Sequence, residues 1–132
     1  MTALFESRDR AGLAADKLKV YAQPQRLMIL SCLLRGERTV SEIDALTTIG
    51  QPALSQQLAE LRRNELVTTR RVAKQIWYDL ADDKVRLCVR SMEVILGDER
   101  DVGKVLDAIL QLTPPKVSSP PQPGTAGFAS IG

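Results

Sequence analysis

Leucine recurs at positions 54, 58 and 61, and the residues between are polar or small. Steps of four and three place these leucines on one side of an α-helix. The pattern predicts a helix over residues 52–64, with Ser55, Gln56 and Arg63 turned away from the buried side. Similar spacing marks helices before it. Residues 11–21 carry Leu13, Leu18 and Val20 among good helix formers. Pro24 suits the first turn of a second helix, where a missing N–H is no loss. That helix runs to Arg35 with Leu27, Leu30, Leu33 and Leu34 inward, and Gly36 ends it. Residues 40–47 form a short third helix with Ile43 and Leu46 three apart, capped by Thr39 or Ser41. Residues 48–52 then read as a turn, with Pro52 at the start of the leucine-patterned helix.

After that helix the period changes. Leu66-Val67 and Thr68 to Arg71 precede a tip at Val72-Ala73-Lys74, and Gln75-Ile76-Trp77-Tyr78-Asp79-Leu80 follow. Two β-rich runs around a polar tip read as an antiparallel hairpin. Asp82 or Asp83 caps a fifth helix, in which Val85, Cys88, Val89, Met92, Ile95 and Leu96 form one apolar stripe. Gly97-Asp98 breaks it. Val102, Val105, Leu106, Ile109 and Leu110 mark a sixth helix or a bent continuation. Helix, turn, helix, hairpin is the order of a winged helix-turn-helix, so the fold expected is mainly α with a small β-hairpin.

The 132 residues suffice for one domain. An N-terminal arm over 1–10, a folded domain over 11–112 and a disordered tail over 113–132 are expected, the tail because it is rich in Pro, Gly and Ser. Residues 1–10 lack the apolar stretch of a secretory signal, and no run approaches the roughly 18–20 apolar residues of a membrane span. A cytoplasmic protein with reduced thiols and no membrane contact is the expectation. With two cysteines and no histidine, a disulfide scaffold and histidine-based catalysis are excluded. No Gly-rich phosphate loop is present either, so no enzyme and no cofactor are expected.

The net charge is only +2, so local clustering must carry any argument for a polyanionic partner. The exposed side of the 52–64 helix begins with Gln51, Ala53, Ser55, Gln56 and Gln57. Glutamine pairs bidentately with adenine, serine bonds several base edges, and alanine touches a thymine methyl. Arg62 and Arg63 at its far end, with Arg70, Arg71 and Lys74 in the hairpin, suit phosphates. Double-stranded DNA is therefore the expected partner, although polar helix faces are often merely solvated. A winged-helix module that binds another protein is the competing reading. The apolar stripe suggests pairing of two chains through Leu13, Leu18, Val85, Val89, Met92 and Ile95, or packing of that stripe within one chain.

The run TVSEIDALTTIGQPALSQQLAELRRNELVTTRRVAKQIWYDL resembles the core of the ArsR/SmtB family of small bacterial repressors. Pro24-Gln25-Arg26-Leu27 resembles that family's "HPxRL" helix entry, with Gln23 in place of the usual His. The resemblance covers residues 14–96. "IGQPALSQQL" is most similar to the branch of biofilm-associated, sulfide-responsive repressors. It implies a homodimer paired through first and last helices, a pseudo-palindromic operator and repression relieved by an inducer. The metal sites of relatives resemble a Cys-x-Cys pair on the third helix or Asp/His ligands on the last. The matching stretch Thr39-Val40-Ser41-Glu42 holds no Cys and the last helix no His, so no metal is expected. Asp82, Asp83 and Glu93 alone suit a soft metal poorly.

Sulfide-responsive relatives use one cysteine on each of two helices. Here Cys32 and Cys88 are the candidates, with sulfide or persulfide as the inducer implied. The resemblance, however, aligns the sensing positions with Ser31, one residue before Cys32, and with the neighbourhood of Gly97, well past Cys88. One residue of offset turns a helical side chain by about 100°. Both thiols also fit a plain packing role, since cysteine is among the residues most often buried.

Overall fold

The computed structural model describes residues 3–97 and 99–112. The chain divides into two compact units, Met1–Met92 and Glu93–Gly132, a division that falls within the single domain expected over 11–112. The expected tail, 113–132, lies outside the described residues.

In the first unit a 3-10 turn at Leu4–Glu6 precedes helix α1, Arg8–Tyr21. Its start is earlier than expected because Ser7 caps it: the Ser7 Oγ accepts the Arg10 N–H at 3.2 Å. No residue of α1 is buried. Helix α2, Pro24–Leu34, is capped by Gln23, whose Oε1 accepts the Arg26 N–H at 2.8 Å. Leu30 and Leu33 are buried as expected, Ile29 joins them, and Leu27 and Leu34 are half-buried at the margins of that face.

Strand β1, Arg38–Thr39, leads directly into helix α3, Val40–Thr47. Thr39 and Glu42 close a capping box at that junction. The Thr39 Oγ1 accepts the Glu42 N–H at 3.2 Å and the Glu42 Oε1 accepts the Thr39 N–H at 3.0 Å. Ile43 is buried as expected, but Leu46 is 60% exposed. The inward position belongs to Thr47, whose hydroxyl donates to the Ile43 carbonyl at 2.8 Å. That internal bond lets a polar side chain replace the leucine in the interior.

The α3–α4 turn uses left-handed backbone at Thr48 and a φ of 82° at Gly50, a conformation glycine adopts freely. The Gly50 N–H donates to Asp44 Oδ1 at 3.0 Å, which fixes the turn. Helix α4, Ala53–Arg63, follows, with Leu54, Leu58 and Leu61 buried as their spacing requires. Strands β2, Val67–Val72, and β3, Gln75–Leu80, form the expected hairpin, with a shorter tip because Val72 pairs with Gln75. The expected two-stranded hairpin is extended by β1 into a three-stranded antiparallel sheet in the order β1-β3-β2, since Arg38 and Thr39 pair with Tyr78 and Trp77.

The core lies where these elements meet: Ile29, Leu30 and Leu33 of α2, Ile43 of α3, the α4 leucines, Leu66, Val67 and Leu80. Full burial of such a side chain contributes about 1.5–3 kcal/mol. Helix α5, Asp83–Ile95, begins at Asp82, whose Oδ1 accepts the Val85 N–H at 3.0 Å. Its stripe is not uniform. Val85 and Val89 complete the core at 4% and 2% exposure, whereas Met92, Ile95 and Leu96 are exposed. Val85 and Val89 are thereby removed from the expected pairing surface, because their own chain covers them.

Glu93 onward belongs to the second unit. Its main element is helix α6, Glu99–Leu112, on which Val102, Leu106 and Leu110 are exposed.

Candidate nucleic-acid interface

Helix α4 presents two contrasting sides. The leucine side is sealed in the core, and Ser55, Gln56, Ala59, Arg62 and Arg63 are exposed. An open hollow of about 380 Å³ runs along this exposed side, bounded by Ser55, Ala59 and Arg62 of α4, Val40 of α3 and Tyr78 of β3. It is the groove between the helix and the sheet.

The glutamines expected to act alike divide into three situations. Gln51 sits before the helix, and its Oε1 accepts both the Ser55 N–H at 3.2 Å and the Ser55 hydroxyl at 2.7 Å. It therefore satisfies a first-turn donor and orients Ser55. The Gln56 side chain is exposed and has no hydrogen-bond partner among the described residues, so its carbonyl and its NH₂ are both available. Gln57 is half-buried, and its Oε1 accepts the Arg26 Nε–H at 2.8 Å. The same guanidinium donates from Nη1 to the Val20 carbonyl at 3.1 Å. Gln57 thus fastens α4 to the α1–α2 junction. Its expected place among base-reading residues is corrected: its carbonyl is engaged inward. Ala53 is half-buried at the helix start.

The basic residues also divide. Arg62 and Lys74 are exposed and have no ion-pair partner among the described residues. Arg63 pairs with Glu60 one turn back. Arg71 lies along the hairpin tip, where its Nε meets the Ala73 carbonyl at 3.4 Å. Arg70 is held most firmly. Its Nε and Nη2 donate to the two Glu37 carboxylate oxygens at 2.5 and 2.6 Å, and its guanidinium lies 6.0 Å from the centre of the Trp77 ring. This bidentate contact keeps the Glu37 carboxyl below the usual carboxylate range and raises the Arg70 pKa. Arg70 thereby braces the wing against the segment before β1, and its charge is already matched.

Arg26, Glu37 and Trp77 are the site residues that sequence reasoning missed. Arg26 falls in the stretch singled out for its resemblance, yet nothing in the spacing says which neighbour it meets. Glu37 gains its role only from β1, and a two-residue strand leaves no periodic signal.

Cys32 and Cys88 are free thiols, both half-buried, with different neighbours. Burial pushes both pKa values up. At Cys32, Arg38 and Arg35 oppose that shift, and at Cys88 a hydrogen bond with Tyr21 does. No three His, Cys, Asp or Glu side chains gather as a metal site among the described residues. Nor is any described helix long and apolar enough to cross a membrane.

Residues 23–69, from the α2 cap into β2, match the family described as bacterial regulatory protein, arsR family. The biofilm growth-associated repressor of Agrobacterium fabrum is 46% identical over 86 residues, which span 65% of this chain and 74% of that protein. The crystal structure of the transcriptional repressor BigR from Xylella fastidiosa superposes with a TM-score of 0.67 at 38% identity, over 74% of this chain and 100% of that one. A homodimeric winged helix-turn-helix DNA-binding domain from Mycobacterium bovis, a possible ArsR-family regulator, superposes with a TM-score of 0.60 at 27% identity. It covers 72% of this chain and 92% of its own. With the winged helix-turn-helix order, the matched α2–β2 segment and these relatives in agreement, the chain belongs to the ArsR family of bacterial transcriptional regulators.

Proposed function

We propose that this chain is a homodimeric, sequence-specific DNA-binding repressor that acts in the cytoplasm. The observation that carries the proposal is the exposed polar side of α4. The Gln56 and Arg62 side chains stand exposed there without partners among the described residues, and Lys74 in the wing is exposed and without an ion-pair partner among them as well. In the proposed complex α4 lies in the major groove. Gln56 and Ser55 read base edges, Ser55 being oriented by Gln51. Arg62, Lys74 and Arg71 meet phosphates, which position the helix without reading sequence.

Pairing of two chains presents two copies of α4 about 34 Å apart, one helical turn of DNA. The pairing surface proposed uses Leu13 and Leu18 of α1, exposed at 64% and 59%, with Met92 and Ile95 of α5. Water-exposed leucines on a helix with no buried residue support such pairing. The relatives support repression as the mode of action. The thiols fit packing better than sensing: burial raises both pKa values, so the reactive thiolate is scarce.

Selection of bound duplexes from random DNA tests the reading, followed by affinity measurement across salt. A symmetric sequence, a dimer in sedimentation and a steep loss of affinity with salt are expected. A monomer, or binding that ignores salt, would instead favour the protein-interaction module. An unchanged response to persulfide in Cys32→Ser removes that thiol from any induction mechanism.

A further inference from the structure

A cleft of about 370 Å³, lined by no residue of α4, opens between α2, β1 and α3. Met28 and Leu46 form apolar flanks and are themselves exposed at 44% and 60%. Arg35, Arg38, Cys32 and Thr47 provide the polar lining. The cations are not equivalent. Arg35 donates from Nη1 to the Ser31 carbonyl at 2.9 Å and to the Ser31 hydroxyl at 3.1 Å. Arg38 keeps its Nε buried with no hydrogen-bond partner. A buried donor on a charged group is costly to leave unmatched, so the Arg38 guanidinium gains from an acceptor brought into the cleft it lines. Glu42, the acid whose charge acts on the Cys32 thiol, has one carboxylate oxygen engaged by the Thr39 N–H at 3.0 Å.

We propose that this cleft binds a small organic carboxylate, its head on Arg38 and Arg35 and its apolar body against Met28 and Leu46. Two acceptor oxygens in a plane match a guanidinium fork. The apolar flanks give an inorganic oxyanion nothing to bind. The volume is at the lower end for small-molecule pockets, which favours a ligand of modest size. Arg38 belongs to β1, so the site adjoins the strand that pairs with Tyr78 and Trp77. Consequences for DNA binding rest on the proposed function, but occupancy of the cleft does not.

Occupancy is measured without DNA, on the full chain, with octanoate as the probe. Cys32 lines the cleft and Cys88 serves as internal control, so labelling by a neutral disulfide reagent, resolved by peptide mass, reports occupancy at one thiol. At ten times its dissociation constant octanoate is expected to slow Cys32 labelling about tenfold, by mass action, and leave Cys88 unchanged. The emission of Trp77, the chain's one tryptophan, is expected to shift over the same concentration range. Arg38→Met is expected to abolish protection. Leu46→Glu, at an exposed position where folding is safe, is expected to do the same by repelling the anion. Equal slowing at both thiols, or none at Cys32, overturns the proposal. Equal protection by octanol overturns the role of the arginines, and equal protection by sulfate overturns the carboxylate assignment.

Discussion

Replacing Gln56 and Gln57 by alanine, one at a time, separates reading from packing on a single helix turn. Gln57→Ala removes the 2.8 Å acceptor of the Arg26 Nε–H. A hydrogen bond to a charged group contributes about 1.5–3 kcal/mol. Arg26 retains the Val20 carbonyl and the pair is only half-buried, so the lower end applies. A loss of about 1.5 kcal/mol lowers Tm by roughly 5–7 °C for a chain of 132 residues. Gln56→Ala removes an exposed side chain without partners, and stability changes by no more than about 0.5 kcal/mol. Its effect falls on discrimination instead: about 1–3 kcal/mol at one base pair, or roughly 5- to 150-fold. Urea denaturation measures the first quantity. Binding to duplexes that each carry one base-pair change measures the second. The assignment fails if Gln57→Ala relaxes base preference as much as Gln56→Ala, or if Gln56→Ala weakens every duplex equally.

Lys74→Ala is expected to flatten the slope of log affinity against log salt by about 0.9, one phosphate contact, whereas Arg70→Ala flattens it less because Glu37 already matches that charge. Glu37→Gln releases Arg70 and is expected to steepen the slope, read in the same titration. Leu61→Ala opens a void in the fully buried part of the core and is expected to cost about 2–5 kcal/mol, read from the urea midpoint. Burial, reinforced by Cys88, pushes the Tyr21 phenol up to about 12. The folded state therefore holds this proton while the unfolded chain releases it near the ordinary value of 10. Stability is full below that value and is lost as pH rises from there through about 12. Phenolate absorbance should show a late step that Tyr21→Phe removes.

The helix order was legible because burial of leucine at steps of three and four is a demand of one element on itself, and residues 54, 58 and 61 meet it regardless of neighbours. The hairpin was legible for the same reason, through local β propensity around a polar tip. What could not be read depends on contacts between distant residues. Gln56 and Gln57 are adjacent and chemically identical, yet a partner 31 positions away turns one inward and leaves the other exposed. Arg70 resembles Lys74 until Glu37, 33 positions away, neutralises it. Thr39 shows how much one short segment can join. Its side chain caps α3 while its backbone pairs with Trp77 in β3. The helix that leads into α4 and the sheet that carries Lys74 are therefore tied at one residue. The spacing between α4 and the hairpin is set at that joint, in a strand too short to leave any pattern in the sequence.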